Sequence, residues 1–145
     1  MRVERIMCPV DFSESSTAAL DNAASLALQL GAQLLIVHVD EHPLVSGAAS
    51  PSLAKKMAER RTQLEQAAPH VSGVSIERHL LRGKAVEEIP RFARLNNIDL
   101  VIMGRQDDNQ RFHNRHDGLC HLASRQCSCP VMTINHEPAL VPWSC

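Results

Sequence analysis

Five short apolar runs alternate with four longer amphipathic stretches along the 145 residues, and that alternation restricts the chain to few architectures. The runs are RIMCPV (5–10), QLLIVHV (33–39), VSIERHLL (74–81), DLVIMG (99–104) and CPVMTI (129–134). The second is almost continuously apolar, as a strand buried on both faces should be. Between the first two lies SSTAALDNAASLALQLG, with Ala18, Ala19, Ala23, Leu26, Ala27 and Leu30 at helical spacing and Gly31 where a helix-ending glycine belongs. A second helix is expected over LAKKMAERRTQLEQAA, with Leu53, Met57, Leu64 and Ala68 on one stripe and Lys55, Lys56, Arg60 and Arg61 on a solvated face. KAVEEIPRFARLNN reads as a third helix, kinked or shortened by Pro90. GLCHLASRQC, after a polar stretch from Arg105 to Asp117, reads as a fourth. The order βαβαβαβαβ implies an α/β fold with a doubly wound parallel sheet and right-handed crossovers. No composition shift marks a boundary, so residues 1–145 read as a single domain with a tail over 136–145.

Composition removes several function classes. Fifteen Lys and Arg against sixteen Asp and Glu leave a net charge of −1, with no basic footprint for nucleic acid. Aromatic residues are 3 %, too few for a base-stacking platform. No apolar run approaches the roughly 18 residues of a membrane span. Arg2, Glu4 and Arg5 precede the first run, unlike a secretory signal, so the expected location is the cytoplasm. Five cysteines, an odd and scattered set, read as reduced thiols there.

In a doubly wound sheet, ligands bind beyond the C-terminal strand ends where the strand order reverses. Two loops therefore matter, Asp11–Ser15 after the first strand and Gly104–Asp117 after the fourth. Neither holds a G-x-G-x-x-G or Walker A pattern. Asp11 is placed to accept from a ribose hydroxyl or an adenine amine, or else to cap the first helix together with Ser13. His38, inside the second strand, reads as a satisfied core histidine. Cys120 and Cys129 are expected in the core. The loop RQDDNQRFHNRHDG is a solvated segment, an anion site through its arginines, or a divalent-ion site through Asp107 and Asp108. His113, His116, Cys120 and His121, with Cys127 and Cys129 beyond, invite a zinc reading, but C-x-C does not meet the usual ligand spacing. No metal site and no catalytic residue is assigned.

MCPVDFSESSTAAL, LLIVHVDE, GKAVEEI…NNIDLVIMG and CSCPVMTI together resemble the universal stress protein family, in family order and spacing over nearly the whole length. The resemblance implies five parallel strands in the order 3-2-1-4-5, with Rossmann-like layers of the adenine-nucleotide-hydrolase kind. It also implies a homodimer built by pairing of the last strands, and a cytoplasmic stress-response role without an established reaction. By the same resemblance Pro9, Val10, Asp11, Val39, Met103 and Gly104 line the adenosine part of a nucleotide pocket. ATP-binding members follow the fourth strand with G-2x-G-9x-G-[S/T]. Here Gly104 supplies the first glycine, while Asp107, Asp117 and Gly118 replace the second glycine, the third glycine and the hydroxyl residue. The expected function is a stress-response or signalling module that acts by binding a small ligand or a protein partner, with no cofactor and little or no ATP binding. The alternative is an ATP-binding member, with magnesium and slow hydrolysis, whose Arg105, Arg111 and Arg115 hold the phosphates.

Overall fold

The computed structural model describes residues 2–41, 51–105 and 113–135, with side chains from residue 118 onward in the last segment. Its elements run β1 (Arg5–Pro9), α1 (Glu14–Leu30), β2 (Gln33–Asp40), α2 (Pro51–Gln66), β3 (Ile76–Arg82), α3 (Ala85–Leu95), β4 (Leu100–Arg105), α4 (His113–Gln126) and β5 (Val131–Asn135). The five strands form one parallel sheet in the order β3-β2-β1-β4-β5. The expected α/β architecture and strand order are therefore observed.

Alternation along the strands divides the core into two layers. Ile6, Cys8, Leu34, Ile36, Leu100 and Ile102 pack with the alanine face of α1, and Leu64 joins them from α2. Met7, Leu35, Val37, Val101 and Met103 pack on the opposite face with Ile89, Phe92 and Ala93 of α3 and Ala123 of α4. β1 and β2 lie inside the sheet and are covered on both sides, which is why Ile6–Cys8 and Leu34–Val37 are apolar without interruption.

Ser13 caps α1, its Oγ accepting the Ser16 N–H at 3.2 Å, and Gly31 closes the helix in the left-handed region at φ 66°. Ala19, Ala23, Ala24 and Ala27 are buried on the sheet side of α1, where small side chains let the helix lie close to the strands. Pro90 sits inside α3, buried and without ending it. Packing of Ile89, Phe92 and Ala93 offsets the lost helical hydrogen bond.

Several boundaries differ from the sequence expectation. β4 continues through Arg105, and α4 begins at His113, five residues before the expected start at Gly118, so Arg115 and Asp117 belong to a helix and not to a loop. No proline interrupts His113–Asp117, and helical hydrogen bonds satisfy the backbone of a polar segment as well as of an apolar one. Ala68 falls beyond the end of α2 and is exposed. Cys120 and Cys129 are half-buried at the margin of the second layer instead of within it, because α4 and β5 stand at the sheet's edge.

Candidate functional site

The sheet changes winding direction at β1 and β4, and the C-terminal ends of β1, β2 and β4 open there into a cleft of about 210 Å³. Its walls include Pro9, Val10 and Asp11 from the end of β1, Val39 from β2, and Met103 and Gly104 from β4. All six positions singled out in the sequence thus meet in one place. Ser16, His38, Glu41, Ala85, Ile89, Leu119 and Cys120 complete the described lining.

The β1–α1 turn is held by a dense polar network. The Asp11 carboxylate accepts from the Ser13 backbone N–H at 3.0 Å and from the Ser13 hydroxyl. Ser16 Oγ donates to the Ser13 carbonyl at 3.0 Å and receives the Asp11 N–H at 3.4 Å. Asp11 is thereby tied to the capping residue of α1, and it is exposed and lines the cleft.

His38 is half-buried and forms part of the cleft wall, not a core residue. Its Nδ1 lies 2.7 Å from the Val10 carbonyl, which can only accept, so Nδ1 carries the proton and donates. The imidazole packs on the Phe12 ring with centroids 4.5 Å apart. Phe12 adopts φ 67°, a conformation that bulky residues rarely enter. The His38 contacts thus brace a strained turn beside the cleft.

Glu41 closes the opposite wall. Its Oε1 accepts the Ala85 N–H at the start of α3, at 2.7 Å. The residue at the N-cap of α3 is Lys84, whose side chain makes no cap hydrogen bond, and Glu41 supplies the missing acceptor from another element. Sequence inspection overlooks Glu41 and Phe12 and places His38 in the core; His38 is hydrogen-bonded as expected but stands in the cleft wall. The one local signal for Glu41 is a lysine standing where an accepting cap residue is preferred.

The remaining candidates are placed less coherently. Arg105 lines a second, more open groove, adjoining the cleft at Cys120, with Gly118, His121, Ser124, Val131 and Thr133. Gly118 is the sixth residue of α4, and a Cβ built there meets nothing within 4 Å. Asp107, Asp108 and Arg111 lie outside the described residues, as does the tail over 136–145. The backbones of His113, Arg115, His116 and Asp117 run in α4. Among the described residues no group of three or more His, Cys, Asp or Glu could hold a metal. Burial raises the Cys8 thiol to about 12 and the Cys127 thiol to about 11, with the neighbouring Cys129 adding to the latter. Cys129 is raised as well, mainly by burial. No helix among the described residues is long and apolar enough to cross a membrane.

Known proteins share this fold. The chain is 26 % identical to universal stress protein A homolog 1 of Coxiella burnetii, covering 92 % of this chain and 97 % of that one. A crystal structure of a universal stress protein family member from Burkholderia pseudomallei superposes with a TM-score of 0.71 at 25 % identity, over 92 % of this chain and 96 % of its own. The universal stress protein of Archaeoglobus fulgidus in complex with dAMP superposes with a TM-score of 0.65 at 21 % identity, over 92 % and 98 %. The model of the universal stress protein family matches residues 2–135, which takes in every strand and helix described above, and the chain belongs to that family.

Proposed function

We propose that the protein is a stress-response module of the cytoplasm that acts by binding, not by turnover, and takes the adenosine part of a small ligand in the cleft above β1, β2 and β4. The observation that carries this reading is the convergence of Pro9, Val10, Asp11, Val39, Met103 and Gly104 on one cavity at the winding switch. A related fold holding dAMP supports it. At about 210 Å³ the cleft is smaller than the roughly 300–1,000 Å³ of sites for drug-sized ligands, which favours a nucleoside-sized group.

Binding of ATP in the manner of the glycine motif is weak or absent in this reading. Asp107 and Asp117 bring charge where glycines would bring backbone N–H groups. One like-charge pair at about 4 Å costs about 4 kcal/mol at an effective dielectric near 20, before screening. Helical hydrogen bonds also occupy the N–H groups of α4 after its first turn, Gly118 among them. Ordering a loop so that Arg111 could offset this costs about 1–2 kcal/mol per residue.

A homodimer through β5 belongs to the same proposal. β5 is an edge strand with Met132 44 % exposed and no lysine or proline inside it, the kind of edge that recruits an identical partner.

Calorimetric titration with ATP and magnesium tests the central point. The expected dissociation constant is weaker than about 100 µM, and one of about 10 µM or tighter overturns it. The combined variant Asp107→Gly, Asp117→Gly, Gly118→Ser should bind ATP more tightly than the parent.

A further inference from the structure

The connection between α4 and β5 sets two thiols side by side. The Cys127 N–H donates to the Ala123 carbonyl at 2.9 Å and ends the helix, and Cys129 stands two residues before β5 starts at Val131. Between them the chain bends at the exposed Ser128, whereas Cys127 and Cys129 are both half-buried and unbridged. Both pack on the margin of the second core layer, and Val131 continues the same alternation, so the two thiols share a face. Two residue steps span at most about 7 Å. A direct disulfide needs its Cα atoms within about 4.4–6.8 Å, so the pair lies near the outer limit for one. A single atom inserted between the sulfurs lengthens the bridge and relaxes that constraint.

The local electrostatics select the kind of atom. Burial, with the neighbouring Cys129 adding to it, pushes the Cys127 thiol up to about 11. Cys129 is raised as well, mainly by burial, and the Asp99 carboxylate adds to that. Both thiols therefore keep their protons at neutral pH. Zinc binds thiolates and would have to displace those protons. A trivalent arsenic centre that carries oxygen reacts with the thiols as they stand, because the S–H protons leave on that oxygen as water.

We propose that Cys127 and Cys129 form a dithiol site that chelates one trivalent arsenical. With a monosubstituted arsenical, R–As=O, two S–H bonds and the As=O bond break and two As–S bonds form. One water molecule carries away the oxygen and both protons. Arsenic remains trivalent, so the step needs neither oxidant nor reductant.

Phenylarsine oxide, added to the reduced full chain in excess glutathione, tests the site by intact-mass spectrometry. Adducts on single thiols exchange onto glutathione, whereas the chelate should persist as one phenylarsenic group per chain. Closing the second As–S bond within one chain gains about 100-fold or more in affinity, so Cys127→Ser and Cys129→Ser should each weaken binding by at least about 100-fold. The double variant Cys120→Ser, Cys145→Ser should bind as the parent does. Alkylation and peptide mapping of the adduct should find Cys127 and Cys129 protected. Circular dichroism melting verifies that each variant is folded. A glutathione-resistant adduct retained in folded Cys127→Ser or Cys129→Ser overturns the proposal, as does its loss in the folded double variant. A parent chain that forms no such adduct overturns it too.

Discussion

A Cβ placed on Gly104 would lie 2.3 Å from the Ser15 carbonyl oxygen, and 2.6 Å from the Ser15 carbonyl carbon. The end of β4 thus runs directly against the first turn of α1, with no room for even a methyl group. Both neighbours are backbone atoms of a capped helix and cannot swing aside. Glycine at this position is accounted for by packing alone, whatever the cleft binds. That packing also brings the β1–α1 turn and β4 together as adjoining walls of the cleft.

Gly104→Ala should therefore destabilise the protein by about 2 kcal/mol or more, as overpacking against fixed backbone does. The melting temperature should fall by about 3 °C for each kcal/mol. A melting temperature within 1 °C of the parent would show that α1 shifts freely, contrary to the geometry.

Gly31→Ala makes the contrasting case. Gly31 has φ 66°, and a Cβ there meets nothing within 4 Å, so only the left-handed backbone opposes the substitution. The expected cost is about 1 kcal/mol, and Gly31→Asn should cost less. Urea unfolding should show a lower midpoint with an unchanged slope.

Asp99 joins the starts of β1 and β4. Its Oδ2 accepts the Glu4 and Arg5 backbone N–H groups at 2.9 and 3.0 Å. Asp99→Ala leaves both N–H groups without their shared acceptor, and the expected loss is about 1–3 kcal/mol in urea titration. Amide exchange at Arg5 should accelerate in the variant.

Alkaline pH should weaken the fold through Cys8. Burial raises its thiol from 9.0 to about 12, so the folded state keeps a proton that the unfolded chain releases. This contribution is fully present below pH 9 and is lost as the pH climbs from about 9 to about 12, by about 1.4 kcal/mol per pH unit. Cys8→Ala should flatten the stability profile over that window, read by urea titration at several pH values. In the native protein a thiol reagent should leave Cys8 unmodified at neutral pH, while the half-buried Cys120, Cys127 and Cys129 react before it.

The edge of β5 provides the test of assembly. Met132→Lys places a charge on its most exposed apolar position and should shift a dimer to monomer in analytical ultracentrifugation. A parent protein that sediments as a monomer at micromolar concentration contradicts dimerisation through β5.

Much of this molecule is legible in one dimension. Strand and helix order follow from hydrophobic periodicity, because burial imposes a repeat of two on strands and of 3.6 on helices, and a local pattern records it. Ser13 and Gly31 mark the ends of α1 through their own capping chemistry. Sheet geometry points to the loops after the first and fourth strands, while the set Pro9 to Asp11, Val39, Met103 and Gly104 comes from the family resemblance, and all six line the cleft. Less was visible where the signal is weak or non-local. The start of α4 is polar and carries no periodic stripe, and the half-burial of Cys120 and Cys129 follows from the edge position of β5. Only the tertiary structure decided that Glu41, at the end of β2, caps α3, a helix 44 residues further along at Ala85. Only it decided that His38 reaches across to the Val10 carbonyl and that Gly104 meets Ser15. Local sequence encodes which element forms; which orphaned donor meets which distant acceptor depends on crossovers that bring residues far apart in sequence to within hydrogen-bonding distance.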